Sequence, residues 1–126
     1  MQVIRVPLYG FKLHISLDIG EASDFIQAHS PLQEEALSDM AGISHSFLDK
    51  AGIRWWILGI FDGTYNTVAH EATHIAWKIL ETCGVKISPT NHEAMAYLVG
   101  WIVDEVLMLF PELVPTPDQM RGSGLV

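Results

Sequence analysis

The sequence predicts an α+β domain: a small, mainly antiparallel sheet packed on two main helices, with a short additional helix. Three observations carry that expectation. Phe11, Leu13, Ile15 and Leu17 alternate with Lys12, His14 and Ser16, the two-residue period of a half-buried strand. The apolar run Ile53–Phe61 follows the turn-like Asp49-Lys50-Ala51-Gly52 and pairs with Ile43–Leu48 as a hairpin. Two later stretches then repeat apolar residues at helical spacing, first Val68, Ala72, Ile75, Ala76, Ile79 and Leu80, then Ala94, Leu98, Val99, Ile102 and Val106.

In chain order, a first strand covers about 11–18. Ser30-Pro31 with Gln33 supplies an N-cap, a proline at the first helical position and a capping-box partner, so a short helix is expected from there to Gly42. The hairpin comes next, with Ile53–Phe61 as its better-buried strand. Asp62-Gly63 breaks that strand, and Thr64 or Asn66 caps the first main helix, which stops at Cys83-Gly84. Ser88-Pro89-Thr90 opens the second, which runs to Phe110 before Pro111. Residues 1–110 thus form one domain, and 111–126, rich in proline and glycine, read as an extended tail.

Composition narrows the function classes. The 126 residues are 49% hydrophobic and 17% charged, which is the composition of a chain with a core. With a formal charge of −8 and seven cations scattered singly, no phosphate-binding patch and hence no nucleic-acid partner is expected. Cys83 is the only cysteine, so no internal disulfide is available; with no secretory leader evident, a reducing, cytoplasmic setting is expected. Asp104 and Glu105 interrupt the longest apolar run, which argues against a membrane span. Trp55, Trp56, Trp77 and Trp101 are expected to fill the core or an interface shared by copies of the chain in a homo-oligomer.

The chemistry concentrates in His70-Glu71-Ala72-Thr73-His74. Shuffling six histidines and the glutamates over this length produces such a pattern about 0.02 times. Residues four apart on a helix stack on one face, so the two imidazoles can converge on one tetrahedral zinc ion. Glu71 points elsewhere around the helix but is long enough to take a proton from an attacking water. A third ligand is sought in His92 or Glu93, and register favours Glu93, because Glu93, Ala96, Tyr97 and Gly100 share a face small enough for a neighbouring helix to approach.

HEATH, with Glu93 nineteen positions after His74 in NHEAMAYLVG, resembles a gluzincin metallopeptidase of the thermolysin clan. The resemblance implies His70, His74 and Glu93 as zinc ligands, Glu71 as general base, and a peptide or protein substrate added as a strand beside Ile53–Ile60. The layout is also similar to small uncharacterised proteins of tailed phages and prophages, which implies a bacterial or phage-infected host cell and admits virion association. Two positions depart from the larger enzymes: Tyr97 stands where they carry an aspartate that orients a ligand histidine, and no second domain supplies an oxyanion donor. Tyr65, Tyr97, His92 and His45 are the residues left for that role. The competing expectation is a zinc-stabilised phage accessory module that acts only through protein contacts.

Overall fold

The computed structural model describes residues 1–122. Strands β1 (Gln2–Arg5), β2 (Lys12–Ser16), β3 (Gly42–Leu48) and β4 (Arg54–Ile60) form one mixed sheet in the order β1-β2-β4-β3. β1 pairs antiparallel with β2 and β3 with β4, while β2 and β4 run parallel. Helix α1 (Ile19–His29) occupies the crossover between the parallel strands. Helices α2 (Tyr65–Thr82) and α3 (Glu93–Leu109) follow the hairpin, and a short α4 (Pro117–Gly122) closes the described chain. The α+β class with two main helices on the sheet is therefore as the sequence implies.

The strand alternation sorts the core into two layers. Leu13 and Ile15 of β2 and Trp56, Leu58 and Ile60 of β4 point to one face, where they meet Val68, Ala72, Ile75 and Ile79 of α2 and Leu98, Ile102 and Val106 of α3. The opposite face carries Phe47 and Ile57, which meet Ala22 and Ile26 of α1. β4 is covered on both sides. That is why its sequence is a continuous apolar run instead of an alternating one.

Two expectations need correction, and one strand was not foreseen. The short helix lies at 19–29, not after Ser30. Asp18 caps it through the Glu21 amide at 2.8 Å, and Ser30 is its C-cap. Segment 31–41 is irregular: Leu37 packs on the α1 layer and donates its amide to Ser23 Oγ, whereas Leu32 is 71% exposed and Asp39 takes a left-handed backbone (φ 52°). β1 is a strand that the short apolar alternation at the start did not announce. Finally, α3 begins at Glu93, later than the Ser88-Pro89-Thr90 start expected, with His92 as a cap that makes no side-chain bond. Thr90 instead donates its amide to Ser88 Oγ in a turn.

Within the segment read as an extended tail, Pro111–Leu113 makes a 3-10 turn, Pro117–Gly122 coils as α4, and Leu113 is buried in the main core. The remainder of that segment, 123–126, lies outside the described residues. No single helix among the described residues is long and apolar enough to cross a membrane.

The fold lowers the pKa of two histidines. Burial lowers the pKa of His14, whose Nδ1 lies 3.3 Å from the Trp56 carbonyl and whose ring packs on Phe25 and Trp55. Burial also lowers that of His45, with Lys78 adding to the effect and Glu34 opposing it. An imidazole that binds its proton less well folded than unfolded leaves stability complete above the free value of 6.5; stability then falls as pH drops from there toward the lowered folded pKa. The urea midpoint is therefore expected to decline on acidification from about pH 7.5 to about pH 5, and less steeply in His45→Leu. Equal slopes in the two proteins would remove His45 from the account.

Candidate functional site

The site grows from the junction of β4 and α2. After Ile60 the chain turns at Asp62-Gly63, and Asp62 clamps the start of α2 through bonds from the Thr64 amide (3.0 Å), Thr64 Oγ1 (3.0 Å) and Thr67 Oγ1 (2.7 Å). Burial alone would raise the Asp62 pKa, but these donors outweigh it and hold the carboxyl below its ordinary value. An ionised carboxylate at a helix N-terminus also suits the helix dipole. Thr64 itself is the N-cap, accepting from the Thr67 amide.

One turn later come the motif residues. His70 and His74 project from the accessible side of α2 with ring centroids 4.8 Å apart, edge to face. Glu71 turns inward and is only 8% exposed, with Oε1 lying 3.7 Å from His70 Nε2. A glycine lets it fit there. A Cβ built on Gly42 of β3 would meet Thr67 Cγ2 at 2.6 Å, the Gly59 carbonyl at 2.7 Å and Glu71 Cγ at 2.9 Å. The helix therefore lies against bare backbone of the outer strand, with Glu71 beneath it.

β3 is a free edge of the sheet, and its ladder defines what that edge offers. The amide of Phe61 bonds the Ala41 carbonyl and that of Asp49 bonds the Ile53 carbonyl, so odd-numbered residues from 41 to 49 face β4. Gly42, Ser44 and Ser46 consequently direct their backbone groups outward. The outward Ser44 carbonyl is taken by Lys78 Nζ at 2.7 Å. Lys78 continues the His70 and His74 row at the next i+4 position, so this row runs along the same side of the helix as the strand edge. Lys78 was not singled out in the sequence, although the i+4 spacing beyond His74 carried the signal.

β4, by contrast, is paired on both sides and has no edge on which to receive a substrate strand, which corrects the expectation for Ile53–Ile60. That role can fall only to an outer strand, and β3 is the one above Glu71. His45 points to the α1 face, beside Phe47 and Glu34, away from the pair. Tyr65 is 41% and Tyr97 77% exposed.

Glu93 is not brought to the histidines. The face it shares with Ala96, Tyr97 and Gly100 looks into solvent, and a Cβ on Gly100 would meet nothing within 4 Å. Met95, Leu98, Ile102 and Val106 form the buried face instead, because they are larger and bury more apolar surface. His92 is exposed as well. Two imidazoles and an adjacent carboxylate match part of a zinc donor set, but among the described residues no three His, Cys, Asp or Glu side chains are grouped to hold an ion.

Comparisons with family models, with curated proteins and with solved structures return no match.

The role given to Gly42 has a direct test. Gly42→Ala should lose about 1–3 kcal/mol of stability in denaturant titration, because one of the three crowded neighbours is backbone that cannot swing away. Gly100→Ala, in an exposed helix interior with open space around it, should instead gain about 0.5–1 kcal/mol.

Proposed function

We propose that the chain is a zinc-dependent hydrolase, with a peptide as substrate, in which His70 and His74 bind the ion and Glu71 handles the proton. What supports this most is the division of labour on one turn of α2: paired imidazoles stand accessible while the glutamate between them is buried with its carboxylate beside His70 Nε2. A bound zinc-type ion would supply Lewis acidity to a water and to a carbonyl oxygen. The Glu71 carboxylate would take a proton from an attacking water and return it to the departing amine. Its packing against Gly42 confines the stem of the side chain at Cγ. The outward groups of β3 offer an extended peptide strand-like hydrogen bonds.

Glu93 remains the proposed third ligand, to be drawn from the exposed first turn of α3. Without it, the ion would rest on two imidazoles and solvent. The lone, exposed Cys83 suits a reducing cytoplasm.

The second reading, a zinc-stabilised phage-type module that docks on a protein, draws on the exposure of Trp77 (50%), Tyr97 (77%) and Met108 (67%) on the two main helices. Activity separates the two readings. Glu71→Gln should retain about one bound ion per chain by elemental analysis while hydrolysis of a quenched peptide pool falls by at least about a hundredfold. His70→Ala and His74→Ala should lose the ion. Glu93→Ala should weaken its affinity by about ten- to a hundredfold in a chelator competition. A wild-type chain that takes up no transition metal would end the proposal, and one that binds metal but cuts nothing would leave the docking module.

A further inference from the structure

One turn beyond His74 on α2, a cleft of about 280 Å³ is lined by Ser46 of β3, Arg54 and Trp56 of β4, and Lys78, Glu81 and Thr82 of α2. Two of the seven lysines and arginines meet here, in a chain whose net charge is −8. Neither forms an ion pair with a carboxylate among the described residues. They bond to neutral acceptors: Arg54 Nη1 donates to Ser46 Oγ at 2.8 Å and Lys78 Nζ to the Ser44 carbonyl at 2.7 Å, and both groups keep further donor hydrogens. The arginine also lies 5.8 Å from the centre of the Trp56 ring. Trp56 itself is 1% exposed and its indole N–H has no hydrogen-bond partner. The cleft is thus rich in donors, with Glu81 as its one acidic side chain.

We infer that this cleft is a carboxylate-binding subsite for an extended peptide lying along the free edge of β3. The peptide rests on the hydrolase reading above; the carboxylate rests on the cleft alone. Arg54 and Lys78 against Glu81 leave one surplus positive charge, enough for a single carboxylate, while the acidic remainder of the chain repels a run of them. Lys78 also marks where backbone recognition stops. By occupying the Ser44 carbonyl it denies that position to a pairing strand, so past it a peptide is held by side-chain charge. Lys78 follows His74 by one helical turn, a rise of about 6 Å, which an extended peptide covers in about two residues. The carboxylate therefore sits about two residues from the bond at the histidines. If the peptide runs antiparallel to β3, an acidic side chain on the N-terminal side of that bond arrives in the cleft; if it runs parallel, the C-terminal carboxylate does.

The test begins with the metal-free, isotope-labelled full chain, following the Trp56 indole and the Ser46 and Lys78 amides by NMR. Four probes are titrated: acetyl-glutamate amide, its glutamine counterpart, acetyl-diglycine as the free acid, and the same compound amidated. One of the two acids should give saturable shifts with at least about tenfold higher affinity than its neutral counterpart, as expected for a charge-assisted pair. That preference should be lost in Lys78→Met and in Arg54→Met, and kept in Lys78→Arg. Acids and neutral counterparts that bind alike, or shifts that survive both methionine variants, overturn the subsite. Cleavage assays on the zinc-loaded chain with Glu or Gln two residues from the cut bond then separate the two levels. Carboxylate binding without any peptide cleavage upholds the subsite and removes the peptidase reading. Cleavage indifferent to that carboxylate upholds the peptidase and removes the subsite's role in it.

Discussion

The structure depends on how closely α2 can lie against the outer strand of the sheet. A side chain at Gly42 would hold the helix off, since three neighbours already stand within 2.9 Å of where its first carbon would go. With glycine there, Thr67 reaches the Asp62 clamp from one turn and Glu71 is pressed beneath the strand from the next. Everything chemical about the site follows from that contact. It buries one carboxylate and leaves both imidazoles open, although all three groups belong to five consecutive residues.

The same contact organises the row that runs past the motif. Because β3 and α2 lie side by side, the i+4 progression from His70 through His74 to Lys78 follows the strand edge and ends on the Ser44 carbonyl. The polarity changes along the row, from imidazoles and the Glu71 carboxylate to the arginine and lysine of the cleft. In an acidic chain, such a local reversal of sign concentrates the field, and it does so beside one of the two outer strands of the sheet.

α3 illustrates a competition that the motif alone could not foresee. Its sequence offers two faces: a small one with Glu93, Ala96 and Gly100, and a bulky one with Met95, Leu98, Ile102 and Val106. Burial of large apolar side chains outweighs close approach through small ones, at roughly 25 cal/mol per Å² removed from water. The helix therefore rolls Glu93 outward. Any approach of Glu93 to the histidine pair would run against that preference.

Local repeats and turn signals anticipated strands at about 11–18, 43–48 and 53–61 and both long helices, and helical spacing put His70 and His74 on one face, because these depend on local patterns that any packing must respect. They misplaced the short helix, since the Ser30-Pro31 signal is genuine cap chemistry that serves as the end of α1 and as a turn, and cap chemistry does not say which side the helix is on. Only the tertiary arrangement decided that β4 sits inside the sheet and β3 at its edge, that His45 faces away, that Glu93 stays in solvent, and that Arg54 and Lys78 share a cleft. Each of these joins segments distant along the chain, where the outcome turns on how much surface is buried and which backbone groups remain unpaired, and neither quantity exists until the layers have packed.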